Sequence, residues 1–106
     1  DSMVVSGIAT LVKQVEAMHI PVIASDDGSV QGGAAFALGV RERDIGVKSA
    51  DVTAEILRGR PVKAIPITRL THYAVFINKK HAVKQAINIS TLIAVSKDSG
   101  YKTVSL

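Results

Sequence analysis

Residues 20–40 read IPVIASDDGSVQGGAAFALGV, an apolar run broken by Ser25-Asp26-Asp27-Gly28-Ser29 and resumed at once. Two carboxylates and two hydroxyls around a glycine suit a small zwitterion. Asp26 or Asp27 can pair with an ammonium group, while Ser25, Ser29 and the free backbone N–H groups of a short helix beginning near Gly28 can take a carboxylate. The competing reading is purely local: Asp and Ser before a helix are common capping residues, and capping needs no ligand.

Other chemistry is harder to build from these residues. His19, His72 and His81 show no paired metal-ligand spacing and read as surface or structural histidines. Asp26-Asp27 lacks the further oxygen donors a Mg²⁺ site needs. Gly28-x-x-x-Gly32-Gly33 fits neither the dinucleotide nor the Walker fingerprint, and Ser25 and Ser29 have no nucleophile-elbow context. No catalytic residue, metal or cofactor is therefore expected. The Arg41–Arg43 cluster reads as a solvated helix start.

The elements that must position the turn follow from periodicity. Val4, Ile8, Leu11, Val12, Val15 and Met18 recur at helical spacing, predicting a helix over about 4–18 with Ser2 as its N-cap. Pro21 to Ala24 is a short buried-strand run ending at the turn, and Ala34 to Val40 is a second strand. A helix over about 42–58 carries Ile45, Ser49, Val52, Thr53, Ile56 and Leu57 on one face and ends at Gly59. Ile65–Thr68 and Tyr73–Ile77 read as strands, the first at an edge because of Pro66, and 79–87 as a short helix. Ile89–Val95 reads as one more strand, with a turn before Tyr101–Leu106.

Helix, strand, turn, strand, helix, strand implies right-handed crossovers and a ligand site beyond the carboxyl ends of the strands, where the Ser25 turn lies. The fold class is α/β, a Rossmann-like three-layer lobe with a mostly parallel sheet. The 106 residues, 47% apolar with four aromatics and no Trp, suffice for one aliphatic core. A net charge of +4 is spread along the chain in short clusters, which argues against nucleic-acid binding. The absence of cysteine excludes disulfides and thiolate metal sites. The chain opens at Asp1 directly on a helical pattern, as expected of the middle of a longer protein.

Asp1-Ser2, Ile20–Asp26, Val30–Gly39, Gly46, Ile56–Gly59, Ile65–Ile67 and Asn78 together resemble, in order and spacing, the second half of bacterial ABC-transporter substrate-binding proteins of the tryptophan- and tyrosine-receptor family. The likeness covers about residues 1–85. It implies one lobe, the C-terminal one, of a type I periplasmic binding protein, in which two hinged lobes close over an amino acid or similar solute and hand it to an ABC permease. The expected location is periplasmic or extracytoplasmic, with a lipoprotein anchor as one form, and no reaction is catalysed. Carried over residue by residue, Asp1, Ser2, Ser25 and Asp26 face the interlobe cleft, Ser29 sits at its rim, and Gly33 lets the turn pack on the next strand.

Two departures qualify the likeness. Arg41-Glu42-Arg43-Asp44 stands where relatives often carry an acidic residue and two aromatics, which puts stacking on an aromatic ligand in doubt. No first lobe precedes the helix, so 1–88 is expected to form a partial lobe and 89–106 a weakly matching tail with possible extra strands. A half-cleft and an open sheet edge predict self-association of the isolated chain and weak solute capture by it alone. The alternative is the effector-sensing lobe of a bacterial transcription regulator, which needs a DNA-binding headpiece elsewhere.

Overall fold

The computed structural model describes residues 2–106. Its sheet is built from β1 (Ile23–Ala24), β2 (Phe36–Gly39), β3 (Ala74–Ile77) and β4 (Lys102–Ser105), ordered β1-β2-β3-β4. β1 pairs with β2 in parallel, β2 with β3 antiparallel and β3 with β4 in parallel. The fold is thus an α/β lobe with a mostly parallel open sheet.

β3 lies between two neighbours, and its continuous apolar sequence Ala-Val-Phe-Ile is buried at every position, as expected of a strand covered on both faces. On one face, Ala37, Ala74 and Phe76 meet Val30 and Ala34 in a core whose small residues let the helix layer sit close to the sheet. That layer contains α1 (Ser2–Glu16) and the one-and-a-half-turn α2 (Asp27–Gln31). α1 turns Ile8 and Val12 inward, where they meet the backbone of 32–33. Gly33 has φ +117°, and a Cβ there would sit 3.0 Å from Val12 and 3.3 Å from His81, so only glycine meets both demands. Ser2, expected as an N-cap, is already helical.

α3 (Glu42–Leu57) ends where Gly59 follows its C-cap, as the sequence predicts, but buries none of its residues. Its apolar face, with Pro66, Thr68 and Leu70, lines an open groove of about 450 Å³. The chain's Cα radius of gyration is correspondingly 17.2 Å, against about 13 Å for a compact domain of this length.

Two expected strands are absent. Residues 65–68 form no ladder; the chain leaves a single 3-10 turn (Val62–Ala64) in extended conformation, and Ile67 is 92% exposed. Pro66 removes one donor and no neighbouring strand supplies a partner. Residues 89–95 belong instead to α5 (Ile89–Asp98), because Asn88 caps it by accepting the Thr91 N–H at 3.0 Å. α4 (Lys79–Lys84) precedes it, and the polar turn after α5 leads into β4 as a real extra strand. No helix among the described residues is long and apolar enough to cross a membrane.

Candidate functional site

β1 and β2 run in parallel and end together, so the turn after Ala24 and the turn after Gly39 share one pole of the sheet. Gly39 makes the closeness obligatory: a Cβ built on it would lie 2.3 Å from the Ser25 carbonyl oxygen. β3 and β4 enter the sheet at the same pole, Gly39 lying opposite Ala74 and Ala74 opposite Lys102. The pole therefore gathers the carboxyl ends of β1 and β2, the position where open α/β sheets hold ligands, and the amino ends of β3 and β4.

Within the turn, Asp26 takes an extended backbone (φ −144°, ψ 155°) and caps α2. Its Oδ1 accepts the Ser29 N–H at 2.7 Å and its Oδ2 accepts the Ser29 hydroxyl at 2.8 Å. The local capping reading of this stretch is thus realised in full. Ser29 is buried at 4% exposure with its hydroxyl already engaged, which leaves Ser25 exposed and Asp26 and Asp27 half-buried at the surface of the pole. Asp26 retains unused lone pairs, since a carboxylate offers about four acceptor positions and Ser29 occupies two.

Ser25, Asp26 and Ser29 are thus brought together. Ser2 shares no hydrogen bond with them; it opens α1 about 9 Å along the helix axis from Ile8. Asp1 lies outside the described residues.

A second group at this pole escaped the sequence reading. Arg41, Asp44, His72, Tyr73, Tyr101 and Lys102 line a cavity of about 360 Å³ at the start of α3, β3 and β4. The Tyr73 and Tyr101 rings lie 6.4 Å apart at 79°, an edge-to-face pair. The missed signal was the pair of tyrosines one residue ahead of each strand; only the β3–β4 register brings them together.

The opposite pole carries a buried polar network with a structural task. Gln85 is fully buried; its Oε1 accepts the Val22 N–H at 2.7 Å, and its Nε2 donates to the Gly33 carbonyl at 2.8 Å and to Glu16 at 3.2 Å. Glu16 also pairs with His81, itself placed where Asn78 accepts the His81 N–H at 3.2 Å. The His81 hydrogen bond outweighs desolvation and, with Gln85 and the charges of His81 and Lys84, holds the Glu16 carboxyl below its usual range. These contacts fasten α1, β1 and α4 together. They offer no open coordination site, and among the described residues no three His, Asp or Glu side chains cluster for a metal.

The chain is 42% identical over 96 residues to an uncharacterized protein of Rickettsia prowazekii (strain Madrid E), covering 87% of this chain and 32% of that protein. It is 34% identical over 79 residues to a tyrosine-binding protein of Clostridioides difficile (strain R20291), covering 74% of this chain and 23% of that one. Among solved structures, a conserved domain protein from Vibrio cholerae O1 biovar El Tor superposes with a TM-score of 0.77 at 26% identity, over 99% of this chain and 33% of its own. The chain thus spans about a third or less of these relatives' lengths. Residues 1–100 match the ABC transporter substrate binding protein family, and the chain belongs to that family.

Proposed function

We propose that the chain forms part of the receptor of an ABC importer, binding an amino acid or similar small solute in a cleft between this lobe and another and delivering it to a permease. The observation that carries the reading is the Ser25–Asp26 turn, held by the Gly39 contact and the Asp26–Ser29 cap at the carboxyl ends of two parallel strands. Family membership and the likeness to a tyrosine-binding protein support a solute-binding role and an extracytoplasmic setting.

In this reading Asp26 offers its remaining lone pairs to a solute ammonium, and Ser25 supplies an exposed hydroxyl beside it. Ser29 acts through Asp26 by fixing the carboxylate. Ser2, at the start of α1, is the further candidate contact, and Asp1, read from the family likeness, lies outside the described residues. Residues up to 88 carry the Ser25–Asp26 wall of the cleft, and 89–106 add α5 and the edge strand β4, whose start lies at the same pole. The other lobe completes the enclosure, which is why this chain alone captures solute weakly.

Calorimetric titration of the full-length gene product against the twenty amino acids tests it. Asp26→Asn retains an oxygen for the Ser29 N–H while removing the charge, so it is expected to weaken binding about tenfold with little change in melting temperature. Unchanged affinity in that variant would remove Asp26 from the site, and no binding of any amino acid would sink the reading.

A further inference from the structure

Arg41 and Lys102 reach the same cavity from opposite sides of β3. Lys102 lies opposite Ala74, which lies opposite Gly39, and Arg41 follows Gly39 by two residues. Two strand spacings of about 4.8 Å place the two backbones about 10 Å apart, a gap that two long cationic side chains can close on a small group between them. Neither side chain makes a hydrogen bond or ion pair within the described residues, nor does His72. Asp44, the single acid lining the cavity, pairs with neither cation, so the cavity keeps an excess of unneutralised positive charge.

The wall between the two cations is aromatic. Tyr73 immediately precedes β3, Tyr101 immediately precedes β4, and their edge-to-face contact forms an apolar side beside the charges. Displacing water there strengthens a charge-assisted hydrogen bond. A solute with one anionic end and an apolar or aromatic body meets both features together, whereas a purely cationic solute meets two like charges.

We propose that this cavity is the subsite for the carboxylate of the transported solute, with Arg41 and Lys102 as its contacts and the Tyr73–Tyr101 pair as the wall for the solute's body. The assignment rests on the receptor reading above and orients the solute: its carboxylate lies between α3 and β4 and its body against the tyrosines.

The test is calorimetry on the full-length gene product with L-tyrosine, with tyramine, which lacks the carboxylate, and with the other nineteen amino acids. Arg41→Gln and Lys102→Gln are compared with Lys63→Gln, which removes the same charge from an exposed site elsewhere. The expected result is that L-tyrosine or another amino acid binds, Arg41→Gln and Lys102→Gln each weaken it about tenfold or more, and Lys63→Gln does not. Tyramine is expected to bind at least tenfold more weakly than L-tyrosine if tyrosine is the solute, and to be insensitive to both cavity variants.

Amino-acid binding that ignores both cavity variants yet weakens in Asp26→Asn would overturn the subsite and leave the receptor reading standing. Equal losses for L-tyrosine and tyramine in the cavity variants would also overturn it, because the cations would then not be reading the carboxylate. Failure of every amino acid to bind would remove both proposals. Circular dichroism melting of Arg41→Gln and Lys102→Gln, expected to match the parent, separates loss of binding from loss of fold.

Discussion

Asp26 gives both carboxylate oxygens to Ser29, one to the backbone N–H at 2.7 Å and one to the hydroxyl at 2.8 Å. A residue read as a ligand contact is therefore first a helix cap. Its carboxylate is held in place by the chain itself, so the same bonds that start α2 orient the charge at the strand ends.

Asp26→Ala removes the cap and leaves the buried Ser29 hydroxyl without a partner. The loss is expected to be about 1 kcal/mol for the cap and about 1 kcal/mol or more for the stranded hydroxyl. Urea unfolding of Asp26→Ala beside Ser29→Ala measures it; equal stability of Asp26→Ala and the parent would contradict the capping account.

Gly39→Ala places a methyl group 2.3 Å from the Ser25 carbonyl oxygen. The obstacle is backbone, so no rotamer relieves it, and the turn or β2 must shift at a cost of about 2 kcal/mol. Denaturant midpoints of Gly39→Ala against Gly46→Ala make the comparison, because the second glycine has open space around it. Similar midpoints would mean that the turn does not press on the strand end.

Gln85→Leu fills a similar volume but abandons the Val22 N–H and the Gly33 carbonyl in a buried place. Two stranded groups at roughly 1–3 kcal/mol each make this a strongly destabilising change despite the similar volume. Thermal unfolding tests it, and a loss below about 1 kcal/mol would show that water reaches those groups.

The Glu16 carboxyl titrates lower in the folded chain than its ordinary value of 4.5, chiefly through its hydrogen bond to His81. A depressed folded value contributes stability at pH above the unfolded value, and that contribution fades as pH falls through the folded one. The melting-temperature difference between the parent and Glu16→Gln is therefore expected to shrink below about pH 4.5. A difference constant from pH 7 to pH 3 would exclude the ion pair as its source.

Exposed Val4, Val5 and Leu11 on α1 leave apolar surface on the helix layer, and Ile23 leaves more on the two-residue edge strand β1. The 106-residue chain is expected to associate with itself in sedimentation velocity at tens of micromolar. A single monomeric boundary over that range would refute this.

The sequence carried the elements whose signals are local. The Ser25–Ser29 turn, the first two strands and the helix over 42–57 were legible because an Asp before a helix, a short apolar run and a 3.6-residue stripe each have one physical cause. Residues 89–95 were misread because Ile, Thr and Val have strand propensity, while the cap at Asn88 and the inward Ser96, which donates to the Leu92 carbonyl at 2.6 Å, decide for helix. Gln85 gave no warning at all. Its burial depends on Glu16, Val22 and Gly33, which are more than fifty residues away. The tyrosine-lined cavity was likewise invisible, since it exists only once β4 is seated beside β3.

β3 reverses the chain's direction in the sheet, and this separates two kinds of change. The Ser25–Asp26 turn and the tyrosine-lined cavity sit where β1 and β2 leave the sheet and β3 and β4 enter it; the Glu16–His81–Gln85 fastening sits at the other end of β3. Four strand residues, about 13 Å, stand between them. Substitutions at the first end therefore leave the clamp that joins α1 to α4 untouched, and the two ends of the lobe are mechanically separate.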